Sequence, residues 1–125
     1  MATINIKTKG NLLIISVTGD LTANEAIAVI KENYSNGIIK DVIWDLRLGT
    51  LQSITRDGFE SIAKVTKEAL ANGSRRGGKT AFIGNSPDEY VFLCLYTTIA
   101  KVTDVPTEYH VCRTIGEAKA WIAQD

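Results

Sequence analysis

The chain reads as an α/β domain: an opening β-hairpin, then alternating strands and helices that build a mixed, mostly parallel five-stranded sheet with four helices. Three observations predict this class. Two apolar runs, Ile4-Asn5-Ile6 and Leu12 to Val17, flank a tight turn at Lys9-Gly10-Asn11. Beyond the turn, short apolar runs alternate with segments whose apolar residues recur three and four positions apart. Capping boxes begin at Thr22, Ser86 and Thr114, each directly after a strand-like run.

The elements follow in order. Thr22-Ala23-Asn24-Glu25 opens a helix with Ala26, Ile27, Ile30 and Tyr34 on one face, and Asn36-Gly37 closes it. Asp41 to Leu46 is a strand built on Val42, Ile43, Trp44 and Leu46. The next helix begins near Ser53 or Thr55 and carries Phe59, Ile62, Ala63, Thr66, Ala69 and Leu70 on its buried stripe. Thr80 to Ile83 is a short strand. Ser86-Pro87-Asp88-Glu89 then starts a helix, with proline at a position where its missing N–H costs nothing. Pro106 marks the return to strand Glu108 to Cys112, and Thr114-Ile115-Gly116-Glu117 opens a last helix with Ile115, Ala118, Trp121 and Ile122 in the core.

Right-handed crossovers place every strand-to-helix junction on one rim, at the carboxyl ends of the strands, where ligands of open α/β sheets bind. At 125 residues the chain is long enough for one domain, 1–125, and too short for two. Its 45% hydrophobic and 22% charged residues are ordinary globular composition, which argues against disorder. Fourteen basic residues balance fourteen acidic ones, so no global field favours nucleic acid. No apolar run is long enough to span a bilayer, although peripheral membrane contact stays open. Two cysteines, Cys94 and Cys112, sit on a helix and a strand; that usage suits reduced thiols in the cytoplasm. One histidine, His110, cannot build a His-rich metal site, and neither a metal nor a cofactor is expected.

Gly73 to Thr80, G-S-R-R-G-G-K-T, fits the phosphate-loop pattern at every required position. Its placement is reversed. A phosphate loop leaves a strand and opens a helix, so that N–H groups converge on the anion. Here a helix runs in and the strand Thr80 to Ile83 runs out. Gly73 is better read as a left-handed helix stop, and Gly77-Gly78 as a turn into the strand. Arg75, Arg76 and Lys79 are then a small solvated basic loop, too few charges for nucleic-acid binding.

With these segments placed, the chain resembles the STAS family, the anti-sigma-factor-antagonist fold, and in particular its SpoIIAA-like branch. The resemblance is carried by Val17-Thr18-Gly19-Asp20-Leu21-Thr22, Val42-Ile43-Trp44-Asp45-Leu46-Arg47, Ala81-Phe82-Ile83-Gly84 and Glu117-Ala118-Lys119-Ala120-Trp121-Ile122. It covers nearly the whole chain and implies a non-enzymatic regulatory or ligand-binding module. In STAS antagonists an Asp-Ser-Ser-Gly loop after the central strand carries a phosphorylatable serine. The matching stretch here is Gln52-Ser53-Ile54-Thr55-Arg56-Asp57-Gly58, which keeps the hydroxyls and lacks the acidic residue and the serine pair.

Three candidate sites follow. Ser53, Thr55, Arg56 and Asp57 form a phosphoacceptor or partner loop, beside simple helix capping. Asp20, Asp45, Arg47, Gly84, Asn85, Ser86 and Arg113 form a rim of helix starts suited to an anion or ligand, beside ordinary capping and strand termination. Tyr90, Phe92 and Tyr96 lie in a helix, Pro87 to Val102, that is apolar for two turns. They mark an apolar ligand cleft for a lipid-like molecule, or a homodimer contact, beside plain packing between sheet and neighbour. The leading expectation is a non-enzymatic interaction module acting on a partner protein through Ser53 to Gly58. The second is a small apolar or amphipathic ligand carrier. An enzyme on the strand-end rim stands third, because Asp20 and Asp45 have neither a histidine nor a nucleophile beside them.

Overall fold

The computed structural model describes residues 2–35, 37–71, 73 and 78–124. The elements come in the expected order: β1 (Ala2–Lys9), β2 (Leu12–Asp20), α1 (Ala23–Asn33), β3 (Asp41–Thr50), α2 (Arg56–Ala69), β4 (Lys79–Ile83), α3 (Pro87–Val102), β5 (Glu108–Cys112) and α4 (Ile115–Ala123). The strands lie side by side in sequence order. β1 pairs antiparallel with β2, and every other pair is parallel. Gly10 takes φ +63° at the first of the two central hairpin positions, which type II′ turns reserve for glycine.

Two apolar layers cover the sheet. Leu13, Ile15, Val17, Val42, Trp44 and Leu46 pack against α1, α2 and α3. Ile43, Ala81, Ile83 and Cys112 pack against α4 through Ala118. The alternation Val42/Ile43/Trp44 therefore serves both faces, as a central strand buried on both sides requires. Inside the larger layer the Trp44 indole N–H donates to the Tyr34 hydroxyl at 2.8 Å, so both polar atoms are satisfied out of water. The other two tyrosines of this layer, Tyr96 and Tyr109, gather with Phe59 and Phe82 at centroid separations of 5.7–5.9 Å.

The capping signals hold unequally. At Thr22 both halves of the box form: the hydroxyl accepts from the Glu25 N–H, and the Glu25 carboxylate accepts from the Thr22 N–H at 3.0 Å. The Thr22 N–H, ahead of that of Ala2, holds this carboxyl below its usual range. At Ser86 and Thr114 the hydroxyl half forms, and the glutamate goes elsewhere. Glu89 turns to the Leu51 N–H, and Glu117 reaches past the cap to the Arg113 N–H at 3.2 Å. α3 ends in a Schellman motif, with Asp104 at φ +62° and the Val105 N–H returning to the Ala100 carbonyl.

β3 is longer than the expected Asp41 to Leu46, because it continues beside β2 to Thr50. Between the pairs Ser16–Asp45 and Thr18–Leu48 it carries one extra residue, a bulge. Past the bulge Gly49 runs so close to β2 that a Cβ there would lie 3.1 Å from the Val17 carbonyl oxygen. Gly73 takes the expected left-handed conformation at φ +84°, but three residues past the C-cap Leu70, so it turns the chain after α2 rather than ending the helix. Lys79 is the first residue of β4, so the glycine-lysine segment enters a strand. Gly77, Arg75 and Arg76 lie outside the described residues. The Lys79 ammonium donates to the carbonyl oxygens of Trp121 (3.0 Å) and Gln124 (2.5 Å), satisfying the end of α4 as a cation at a helix C-terminus does. Among the described residues no helix is long and apolar enough to cross a membrane.

Candidate functional site

All four helices start within a few residues of a strand's carboxyl end, so Thr22, Thr55, Ser86 and Thr114 stand as N-caps along one rim. Backbone bonds lace that rim together. The Leu21 N–H donates to Thr50, and the Gly84 N–H to Cys112, each at 3.0 Å.

Ser53 stands exposed on the segment joining β3 to α2. Its hydroxyl donates to one carboxylate oxygen of Asp20, the last residue of β2. The other oxygen, Oδ1, is buried without a hydrogen-bond partner among the described residues. These two residues belong to different candidate sets in the sequence, and the fold brings them into contact. Two residues on, Thr55 caps α2 by accepting from the Gly58 N–H at 3.1 Å. The cap is tightly seated, since a Cβ on Gly58 would meet Ile54 Cγ2 at 3.0 Å and the Ala23 Cβ at 3.3 Å. Arg56 and Asp57 are exposed in the first turn, and Arg56 pairs with Glu60 at 3.5 Å. The ribbon Ser53 to Gly58 thus presents hydroxyls, a loosely held cation and a helix N-terminus on one surface.

The rest of the expected rim divides. Gly84, Asn85 and Ser86 do lie at the junction of β4 and α3, and Arg113 lies between β5 and α4. Gly84 is buried there, and a Cβ on it would come 3.1 Å from Leu93 Cδ1. Asp45 and Arg47 do not stand at the end of their own strand, although Asp45 pairs with Ile83, the last residue of β4, and so lies level with the rim on that side. They sit within β3, because that strand continues for several residues past the point where the sequence pattern fades. Arg47 clamps Asp45 with two bonds, Nε–Oδ1 at 2.9 Å and Nη2–Oδ2 at 2.7 Å. This side-chain bonding, first among the causes, holds the Asp45 carboxyl below its usual range. The ion pair engages both carboxylate oxygens of Asp45.

The three aromatic residues of α3 face different surroundings. Tyr96 is buried in the aromatic cluster, Phe92 is half-buried against the larger core, and Tyr90 is exposed. Six positions separate the two tyrosines, which turns them to different sides of the helix. A cavity of about 40 Å³ lies between the sheet and α1–α3, lined by Leu21, Tyr34, Trp44, Phe59 and Tyr96 among others. At roughly 10–15 Å³ per water-sized sphere it is far short of an acyl chain. Among the remaining side chains, His110 stacks on Trp121 at 5.0 Å. Cys94 and Cys112 are both free, and burial, aided by the charge of Glu117, pushes the Cys112 thiol up.

Sequence reasoning missed Glu89, treated there as half of a capping box. Its carboxylate accepts from the buried Leu51 N–H at 3.0 Å, across 38 positions of chain. No local pattern signals that contact.

Superposition on the anti-sigma factor antagonist SpoIIAA, in its unphosphorylated form, gives a TM-score of 0.57 at 15% identity, covering 98% of this chain and 100% of that one. The fold is SpoIIAA-like. An anti-sigma factor antagonist from Mycobacterium paratuberculosis superposes with a TM-score of 0.62 at 14% identity, covering 99% of this chain and 96% of the other. An uncharacterized DUF3478 protein of SpoIIAA-like fold from Shewanella loihica gives 0.53 at 18% identity, covering 98% and 94%. No protein-family model and no curated protein matches the sequence. Among the described residues, the mixed sheet with one antiparallel pair and four helices thus has the SpoIIAA-like fold over nearly the full length of the chain.

Proposed function

We propose that this protein is a non-enzymatic regulatory module that binds a partner protein through the loop and helix start at Ser53–Gly58, with Ser53 as its phosphoacceptor. One observation carries this reading: an exposed serine hydroxyl at the edge of a helix N-terminus, held by the Asp20 carboxylate. Phosphorylation would remove the donor and set about −1.5 to −2 charges against Asp20. The positive end of α2 would favour the same phosphate, so the group has one attractive and one repulsive neighbour. That balance suits a surface which must change shape or affinity on modification. The SpoIIAA-like fold, shared with two proteins described as anti-sigma factor antagonists, makes an anti-sigma factor the partner class of choice.

In this proposal the polar groups near Ser53 carry no catalytic role. Asp20, Thr55 and Asp57 supply acids and hydroxyls, whereas the single histidine is stacked on Trp121 at α4. The test is mass spectrometry of the protein isolated from its native cells across growth conditions. The tryptic peptide Leu48 to Arg56 is expected to carry phosphate on Ser53 in some of them. A peptide unmodified in every condition, or modified on Thr50 or Thr55 instead, would count against the assignment.

The outward side of α3 favours a second contact, a homodimer interface. Val91, Leu95 and Val102 fall on one helical stripe at 64%, 39% and 79% exposure, with Tyr90 beside them. A native mass spectrum showing monomer throughout the micromolar range would remove that reading.

A further inference from the structure

We propose that Glu89 is a positioning residue that ties the Ser53 loop to the first turn of α3, so that a change of charge at Ser53 is felt on the outward face of that helix. The inference takes its functional consequence from the Ser53 reading above. Its structural basis is separate.

Glu89 is 9% exposed, and Leu51, whose N–H it accepts, is 4% exposed. Burying a carboxylate is costly unless fixed donors compensate it, so the contact is a specific one. Glu89 acts twice. Its backbone N–H is capped by Ser86 at 3.2 Å, which fixes the start of α3, while its side chain crosses to Leu51, the first residue after β3. The close seating of α3 over the rim depends on Gly84, where a Cβ would stand 3.5 Å from the Glu89 Cβ and closer still to Leu93.

Leu51 is equally committed. Its N–H goes to Glu89, and its carbonyl accepts from the Ile54 N–H at 3.0 Å. Ser53 sits inside that Leu51–Ile54 turn, and the adjacent Gln52 N–H is held by the Thr50 hydroxyl at 3.1 Å. Displacing Ser53 from Asp20 therefore strains a turn whose other end is anchored on α3. Beside the anchor, a groove of about 260 Å³ runs between Gln52 and the α3 residues Asp88, Val91 and Phe92, so loop and helix share one surface.

Two substitutions separate reach from charge. Glu89→Asp keeps the charge and is one methylene too short; Glu89→Gln keeps the reach and still offers an acceptor oxygen. Each is combined with Ser53→Asp in uniformly ¹⁵N-labelled protein. Ser53→Asp is expected to shift the Tyr90 and Val91 amides in the parent and in the Glu89→Gln background, and to leave them unmoved in the Glu89→Asp background. Exchange of the Leu51 amide is expected to rise about tenfold with Glu89→Asp and to stay within about twofold with Glu89→Gln, while Ile43 and Trp44 keep their protection. Tyr90 and Val91 amides indifferent to Ser53→Asp in the parent, or equally responsive in the Glu89→Asp background, would overturn the proposal. So would equal acceleration of Leu51 and Ile43, which marks general destabilisation. None of these readouts uses a kinase or partner, so this coupling and the phosphoacceptor assignment fail independently.

Discussion

The contact between Ser53 and Asp20 makes a quantitative demand on stability. Replacing Ser53 by alanine removes the donor, and replacing it by aspartate removes the donor and adds a charge. The comparison of those two variants therefore isolates the added charge, and repeating it with Asp20→Asn isolates its repulsion by Asp20. Hydrogen-bonded neighbours become carboxylates roughly 4 Å apart, where Coulomb repulsion is about 1 kcal/mol in water and about 4 kcal/mol at an effective dielectric constant near 20. Because Ser53 is exposed and Asp20 half-buried, the lower part of that range applies, about 1–2 kcal/mol. The N-terminus of α2 favours the new charge by about 0.3–1 kcal/mol. That benefit is the same with Asp20 or with Asp20→Asn, so it cancels when the two backgrounds are subtracted. At about 2.1 cal/mol/K per residue, the unfolding entropy of a 125-residue chain is roughly 0.26 kcal/mol/K. The gap between Ser53→Ala and Ser53→Asp should thus differ by about 4–8 °C in Tm between the two backgrounds. Urea and thermal unfolding, followed by the fluorescence of Trp44 and Trp121, would read it. The difference should shrink near 1 M salt, where screening acts within about 3 Å. A difference below about 0.5 kcal/mol at low salt, the usual scatter of independent sites, would refute the contact.

Three further outcomes are expected. Tyr34→Phe leaves the buried Trp44 N–H without its hydroxyl partner and should cost about 1–3 kcal/mol in urea unfolding; a neutral result would mean that the indole has another acceptor. Asp45 has a folded-state pKa below its unfolded value near 3.9, so its contribution is present above about pH 4 and is lost as pH falls through the folded value. The stability difference between the parent and Asp45→Asn should accordingly be full at neutral pH and narrow in acid, and a difference that widens there would contradict the ion pair. Lys79→Met removes charge-assisted bonds of about 1.5–3 kcal/mol in all. Amide exchange should then quicken along Ile115–Ala123 and not along α1; an unchanged α4 would show that the lysine is dispensable there.

Periodicity and punctuation made most of the fold legible. Gly10, Thr22, Ser86, Pro106 and Thr114 each act locally, and local signals survive in sequence. The same rule explains why Gly73 to Thr80 could be read as leading into a strand, since what matters is the order of neighbouring elements; Lys79, expected in a solvated basic loop, is instead the first residue of β4 and is bonded to the end of α4. The length of β3 was not legible, because Arg47, Leu48 and Gly49 extend the strand through a bulge paired to β2, without an apolar alternation of their own. Tyr96 and Tyr90 look alike in a run that is apolar all round, and packing against Phe59, Phe82 and Tyr109 decides which is buried. The site was half legible. Ser53 and Asp20 were each marked as helix-start or strand-end residues, but their contact spans 33 positions. Glu89 was hidden by a short pattern that accounted for it too easily.

The proposed function makes Ser53 a charge-controlled contact with a partner protein. The most direct measurement is calorimetric titration of two forms of the protein, Ser53 unmodified and Ser53 phosphorylated, against the anti-sigma factor encoded nearest its gene. Binding by the unmodified form, weakened at least about tenfold by the phosphate, is the predicted result; a tenfold change corresponds to about 1.4 kcal/mol. Equal affinity of the two forms would contradict it.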